Sequence, residues 1–236
     1  MNRPNGRNLT YGMLDSLGRA IITGAYQDIP FPTEADLATL YGVSRSVTRE
    51  AVKMLTAKGL LSARPRQGTS VRPEAAWNLF DADVLRWLLE RKFSLTLLRQ
   101  FSELRVTIEP AAAALAAQAG NKAALAQIAA SYRRMEAHSG SPEEALDADI
   151  VFHIAILEAS GNPFYAQFRD VVETALRTSI RFTNRFQGRT ASLPAHKAVA
   201  DAIAARDSEG ARSAMTAIIA DVLVLIAEGE RQAPGS

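Results

Sequence analysis

Residues 33–58 read TEADLATLYGVSRSVTREAVKMLTAK, and this stretch decides the fold of the N-terminal part of the chain. Thr33, with Asp36 three positions later, is typical of a helix N-cap, so a short helix is predicted to follow Thr33. Gly42 permits a tight turn, and Ser44 predicts the N-cap of another helix. Two short helices joined by a tight glycine turn predict a helix-turn-helix.

The second helix of this pair separates apolar residues from basic ones. Its packing face is predicted from apolar residues at helical spacing, namely Val47, Ala51 and Leu55. Its opposite face carries basic residues, namely Arg45, Arg49 and Lys53. The start of such a helix enters the major groove of DNA, where Arg binds guanine or bridges phosphates. Ser46 and Thr48 are small enough to approach the DNA closely, so both are predicted contacts. A basic face that only solubilises the helix is the alternative.

A basic hairpin is predicted directly after this helix. Two short strand-like pieces, at 60–63 and 69–72, flank the sequence RPRQG at 64–68. A hairpin with a basic, glycine-bearing tip is typical of a wing. Arg66 and the backbone near Gly68 are predicted to reach phosphates or the adjacent minor groove.

Residues 9–72 resemble the winged helix-turn-helix of the GntR superfamily of bacterial transcriptional regulators. The resemblance rests on the order and spacing of a Pro-Thr-Glu start, a Ser-Arg-x-x-x-Arg-Glu-Ala core and an Arg-Gln-Gly-Thr tip. It implies that DNA is contacted by Thr33, Arg45, Arg49 and Gly68. The sequence departs from the family at Ala35, where members commonly place a DNA-contacting Arg, so its phosphate contacts or operator preference are expected to differ.

The charge distribution agrees with a DNA-binding N-terminal part. Residues 1–75 carry ten Lys or Arg against six Asp or Glu, while the whole chain of 236 residues has a net charge of only +2. The basic excess is therefore confined to one end, as expected for a polyanion-binding surface. Cysteine is absent, which excludes disulfides, thiolate metal sites and cysteine nucleophiles.

The remainder of the chain is predicted to be a second, all-α domain. Its apolar residues follow helical periodicity, and Gly and Pro separate the helical segments. The predicted fold is therefore mainly α, with an N-terminal winged helix-turn-helix and a small β-hairpin wing (1–74), followed by an all-α helical-bundle effector domain (75–236). No secretory apolar region and no uninterrupted apolar run of membrane-spanning length is seen, so we expect a cytoplasmic protein without a membrane partner.

Polar groups capable of ligand binding recur in this second domain. Asp149 and His153 are one helical turn apart, and His196 follows later in the chain. Two imidazoles and one carboxylate form a three-ligand set for a divalent transition metal such as zinc. Arg105 lies one turn before Glu109, so it either forms a surface pair with Glu109 or faces inward to bind a carboxylate at two points.

Residues 79–230 resemble the helical FCD effector domain of the FadR subgroup of that superfamily. The resemblance implies metal ligands at Asp149, His153 and His196, and an effector carboxylate bound by Arg105. A fourth histidine is usual in the pattern Ala-Met-x-x-His, but this chain has Ile218 at that position. At most three protein ligands are therefore expected, with the effector's own oxygens completing the site. A metal-free polar pocket formed by the same effector-binding residues is the alternative.

The sequence as a whole predicts a transcriptional regulator, with repression the expected mode. It is expected to bind double-stranded operator DNA as a homodimer and to respond to a small organic acid. Residues 77–87 resemble a run found in members that respond to sugar acids, so a sugar acid such as galactonate is predicted, with lactate or an amino acid as alternatives. Two other classes remain open. One is a metal-dependent enzyme with a two-His-one-carboxylate site, and the other is an oligomerisation module with a satisfied polar core.

Overall fold

The computed structural model describes residues 6–27, 29–64, 68–91, 95–137, 141–177 and 192–232. The chain divides into two compact units, Met1–Phe93 and Ser94–Ser236.

The first unit is helical apart from one hairpin. Its elements, in chain order, are α1 (Gly6–Ile22), α2 (Glu34–Tyr41), α3 (Arg45–Ala57), β1 (Leu61–Arg64), β2 (Gly68–Val71), a short 3-10 helix (Glu74–Ala76) and α4 (Ala82–Arg91). Fully buried side chains from α1 and α3, including Leu14, Leu17 and Leu55, form its core.

Local capping explains why α2 and α3 form a helix-turn-helix. Thr33 accepts a hydrogen bond from the Asp36 backbone N–H, and the Asp36 carboxylate accepts one from the Thr33 backbone N–H, which completes a capping box. Gly42 then adopts the left-handed region at φ 64°, where a side chain would be strained. Ser44 caps α3 by accepting from the Val47 backbone N–H. The predicted helix-turn-helix is confirmed.

The wing is a two-stranded antiparallel hairpin. β1 and β2 pair in register from Leu61 opposite Val71 to Arg64 opposite Gly68. Arg66, a predicted DNA contact at its tip, lies outside the described residues.

Helix α4 packs into the first unit through several contacts. The Trp87 indole N–H donates to the Asp15 carboxylate over 2.8 Å, and its ring lies against Gly18, where an added Cβ would come within 2.4 Å. Lys58, just past the end of α3, donates to both Asp81 and Asp83 at the start of α4. Residues 75–91, which were predicted to belong to the second domain, thus pack with the first unit. The predicted limits of the functional domains, 1–74 and 75–236, stay a prediction.

The secondary-structure elements of the second unit are all helices within its described residues. Its helices are α5 (Leu95–Ala119), α6 (Lys122–Ala137), α7 (Pro142–Ala159), α8 (Pro163–Ala166), α9 (169–177), α10 (Leu193–Ala204) and α11 (Ser208–Gln232). The long helices α5 and α11 pack along each other, and α5 also contacts α7 and α10. Small side chains on α5, such as the fully buried Ala112 and Ala113, permit this close approach. The predicted all-α character of this part is confirmed.

Helix α11 is long and carries an extended apolar run. An 18-residue window within it reaches a mean hydropathy of 1.7, so by length and composition alone it is capable of crossing a membrane. In the structure it is a bundle helix, with Met215 and Ile219 fully buried and Asp221 within its apolar run. Only 22% of that window is buried within the single chain, so much of its apolar surface stays accessible.

Candidate metal and effector centre

Three helices of the second unit place polar side chains at one buried point. Helix α5 provides Arg105 and Glu109 one turn apart, α7 provides Asp149 and His153 one turn apart, and α10 provides His196 from its first turn. All five side chains are buried, with exposed fractions between 1% and 4%. Charged residues are rarely buried to this degree unless they pair or bind a ligand.

Asp149, His153 and His196 form a three-residue group with the geometry of a metal site. One potential ligand atom from each residue lies within 4.8 Å of the other two. Asp149 Oδ1 lies 2.8 Å from His196 Nε2 and 3.7 Å from His153 Nε2. Ligand atoms that share one zinc ion at bonds of ~2.0–2.1 Å are brought together at a comparable spacing.

Two atoms of this group lack hydrogen bonds. Asp149 Oδ1 and His196 Nε2 are buried and have no hydrogen-bond partner within the described part of the chain, although they lie 2.8 Å apart. The two atoms therefore form a close electrostatic contact but no hydrogen bond of ordinary geometry. Buried polar atoms without partners are costly, so the site fits a bound cation better than a satisfied polar core.

The Nδ1 atom of each histidine ring lies next to an acceptor oxygen. His196 Nδ1 lies 2.8 Å from the Ser192 carbonyl oxygen, and His153 Nδ1 lies 2.6 Å from Glu109 Oε2. Phe152 is fully buried beside them, and the centroid of its ring lies 6.0 Å from that of His153 and 5.3 Å from that of His196. The histidines are thus oriented with their Nε2 atoms toward Asp149.

Electrostatics keeps the two carboxylates charged. Burial alone raises the pKa of Glu109, but the charges of Arg105 and His153 outweigh it and lower the pKa to about 2. Burial likewise opposes the charged form of Asp149, and its contact with His196 lowers its pKa below the usual range. For His196, burial lowers the pKa and the Asp149 carboxylate raises it, with a net increase. Both carboxylates are therefore acceptors at neutral pH.

Arg105 was predicted either to pair with Glu109 at the surface or to face inward and bind a carboxylate at two points. In the structure it faces inward and pairs with Glu109. Its Nε donates to Glu109 Oε1 over 2.5 Å and its Nη2 donates to Glu109 Oε2 over 3.2 Å. The pair is buried, with side-chain exposures of 3% and 1%, and is not on the surface. A guanidinium has five N–H donors, more than this carboxylate accepts.

Glu109 was not predicted as a site residue. Its spacing from Arg105 is shared by many exposed helical ion pairs, and nothing in the sequence marks this one as buried. The sequence cue that was available is the alignment of Glu109 with the apolar residues of α5, on the face that carries Leu98, Ser102 and Arg105.

The predicted DNA-contacting residues fall into three groups in the first unit. The exposed ones are Thr33, Arg45, Ser46, Arg49 and Gly68. Arg66 is outside the described residues. Thr48 needs correction, because it is fully buried and its hydroxyl donates to the Ser44 carbonyl oxygen over 3.2 Å. It lies on the packing face of α3 with Val52 and Leu55, so we withdraw it as a contact.

Comparison with known proteins gives the family. Residues 14–71 match the model of the gntR family of bacterial regulatory proteins, and residues 100–221 match the FCD domain. The galactonate operon transcriptional repressor of Escherichia coli K12 is 34% identical over 218 residues, which cover 90% of this chain and 94% of that repressor. The chain belongs to the GntR family. It is a DNA-binding transcriptional regulator with an FCD domain, and not an enzyme.

Two further relatives of this GntR-family regulator agree. The helix-turn-helix transcriptional regulator YieP of Escherichia coli K12 is 33% identical over 216 residues, covering 90% of this chain and 93% of YieP. A solved GntR structure from Streptococcus agalactiae is 25% identical, covers 91% of this chain and 99% of its own, and superposes with a TM-score of 0.50. The metal-dependent enzyme considered from the three-ligand set is therefore set aside.

Proposed function

We propose that this GntR-family regulator is a repressor whose operator binding is weakened by a small organic acid bound in the FCD domain. The observation that carries the proposal is the buried convergence of Asp149, His153 and His196, with two atoms lacking hydrogen bonds. A sensor domain needs a buried site that a ligand completes, and the two buried atoms without hydrogen bonds support such a site here.

Asp149, His153 and His196 would hold a divalent transition metal, with zinc the first choice for two imidazoles and a carboxylate. Bound there, the metal would supply open positions for oxygen atoms of the effector. Arg105 would bind the effector's carboxylate through donors that Glu109 does not use. In the metal-free alternative, the same residues bind the acid directly and no metal ion is present.

A sugar acid is the effector class we favour. Its carboxylate and hydroxyl oxygens suit both a guanidinium and a cation with open positions. The 34% identical relative is named as a galactonate operon repressor, and galactonate is the member of this class that we propose first. Lactate and amino acids share the carboxylate but offer fewer hydroxyl oxygens.

A homodimer acting in the cytoplasm completes the proposal. A helix-turn-helix head reads one half-site, so two copies would bind a two-fold operator of double-stranded DNA. The accessible apolar surface of α11, where Val224 is 55% exposed, supports burial against a second copy rather than exposure to water.

Metal content tests the centre directly. Zinc-loaded, desalted wild-type protein is expected to retain about one ion per chain, measured by plasma mass spectrometry. His153→Ala should lose most of it, because one of three ligands is removed. His138→Ala is the matched control, since it removes the histidine outside the three-ligand group, and it should retain the metal. Equal metal content in wild type and His153→Ala would refute the assignment.

A ligand screen tests the effector class. Thermal unfolding of the zinc-loaded protein should shift upward with D-galactonate, because a ligand that binds only the folded state stabilises it. L-lactate and glycine, at the same concentrations, should produce smaller shifts. If no hexonate shifts the transition, the sugar-acid proposal fails while the metal centre stays testable by itself.

A further inference from the structure

Glu109 has a position in the site that a simple ion pair with Arg105 does not explain. Its Oε1 accepts from Arg105 Nε, while its Oε2 lies 2.6 Å from His153 Nδ1 and 3.2 Å from Arg105 Nη2. Glu109 is 1% exposed, so no solvent competes for these contacts. One carboxylate therefore serves two partners from two different helices.

The contact with His153 sets the state of the imidazole. A carboxylate paired with a guanidinium accepts hydrogen bonds and cannot donate them. The short contact with Glu109 therefore requires the proton of the His153 ring to lie on Nδ1. In the neutral ring this leaves the lone pair on Nε2, and it is Nε2 that faces Asp149, at 3.7 Å from Oδ1.

His196 is held in an analogous way but by a weaker acceptor. Its Nδ1 lies 2.8 Å from the neutral carbonyl oxygen of Ser192, and its Nε2 faces Asp149 Oδ1. Both rings thus point Nε2 inward, and only the ring of His153 is backed by a charged group. A carboxylate behind a ligating histidine fixes its tautomer and increases its basicity.

From this geometry we infer that Glu109 is a positioning residue of the metal centre: it holds His153 in the Nδ1–H tautomer with Nε2 directed at the ion. Glu109 also pairs with Arg105, so it connects the proposed effector-binding residue with the proposed metal ligand His153. The inference rests on the proposed metal centre. The metal centre itself does not require Glu109, so the role of Glu109 can be tested separately.

Nitrogen-15 NMR of the histidine side chains in zinc-loaded wild-type protein is the first test, because it needs no substitution. For His153 we expect a protonated Nδ1 with a directly bound hydrogen and a zinc-bound Nε2. The ring signals are assigned by correlating them with the backbone resonances of His153, because His153→Ala is itself expected to lose the zinc. A zinc-bound Nδ1, or a proton on Nε2, would overturn the inference.

Zinc affinity of Glu109 variants is the second test. Glu109→Gln keeps the shape and removes the charge, and Glu109→Asp keeps the charge but withdraws it from His153. Both are expected to bind zinc about 10–100-fold more weakly than wild type in a chelator competition, the usual effect of losing such an outer partner. In cobalt-loaded protein their visible absorption bands should also shift, since the bands report ligand geometry.

The control is Glu103→Gln on the same helix, whose carboxylate is 53% exposed and paired with Arg99. It should bind zinc like wild type. Unfolding in the presence of EDTA measures the stability of the metal-free protein. If Glu109 only formed a structural ion pair, its substitution would change this stability and leave the zinc affinity unchanged. Unchanged affinity in a folded Glu109 variant refutes the role of Glu109 by itself, whereas no zinc binding by wild type refutes the metal centre and this inference together.

Discussion

Arg49 is the residue through which DNA binding is most directly examined. It is exposed on α3, and its ion pair with Glu34 joins atoms 3.4 Å apart with side-chain exposures of 62% and 39%. Such surface pairs contribute roughly 0–1 kcal/mol to folding. A substitution at Arg49 is thus expected to affect DNA binding with little effect on stability.

We predict that Arg49→Ala weakens binding to DNA selected by the wild-type protein from a random pool. If Arg49 contacts a phosphate, the slope of log K against log salt concentration should decrease in magnitude by about 0.9. If it contacts a base, binding should weaken by about 1–3 kcal/mol, with specificity lost at one base pair. Fluorescence anisotropy at several salt concentrations measures both. Arg133→Ala, an exposed arginine of the FCD domain, is the control, and equal binding by the two variants would contradict the prediction.

Single residues also show where sequence reasoning fails. Thr48 is polar and next to Arg49, yet it is fully buried, because Thr can satisfy its hydroxyl on the preceding turn of its own helix. Glu109 is charged and also buried. In both cases the identity of the residue predicts exposure, while the tertiary environment provides a partner that the sequence does not reveal.

At the scale of elements, the contact between α1 and α4 depends on a glycine. The Trp87 ring lies where a Cβ on Gly18 would be, at 2.4 Å. Gly12 is on the same helix, and a Cβ there would meet nothing within 4 Å. Alanine at Gly12 therefore changes only helix propensity, whereas alanine at Gly18 changes both helix propensity and packing.

We predict that Gly18→Ala destabilises the protein by about 1–3 kcal/mol, because the ring must move in a packed core. Gly12→Ala should be neutral or stabilising by up to about 1 kcal/mol, because alanine favours the helix and no contact is lost. Denaturant unfolding of the two variants measures the difference. Equal stabilities would mean that the α1 and α4 contact adapts without cost.

Elements with local determinants were predictable from the sequence. The caps at Thr33 and Ser44 and the turn at Gly42 are set by neighbouring residues, so the helix-turn-helix was identified correctly. The attachment of α4 was not, since it depends on Trp87 meeting Gly18 and on Lys58 meeting Asp81, pairs that are distant in sequence. The chain between β2 and α4 is also attached to this unit, since the Asn78 backbone N–H donates to the Lys58 carbonyl oxygen over 3.1 Å.

At the scale of the whole molecule, regulation requires that the effector bind one state of the protein more tightly than another. In our proposal the acid completes the centre formed by Arg105, Asp149, His153 and His196, and the resulting change in bundle packing weakens operator binding by the two heads. The family and the grouping of Asp149, His153 and His196 were both predictable from the sequence. The atoms without hydrogen bonds, which support a bound ligand, follow only from the folded arrangement.

Release of DNA by a sugar acid is the measurement that tests this proposal most directly. Zinc-loaded protein is bound to fluorescent selected DNA, and D-galactonate is added while anisotropy is recorded. Wild type and Arg99→Ala, which removes a half-buried arginine on α5, should release DNA at similar concentrations. Arg105→Ala should bind DNA but need about 10–100-fold more acid, because it lacks charged hydrogen bonds of about 1.5–3 kcal/mol each. Release of Arg105→Ala at the wild-type concentration, or no release of wild type by any hexonate, would contradict it.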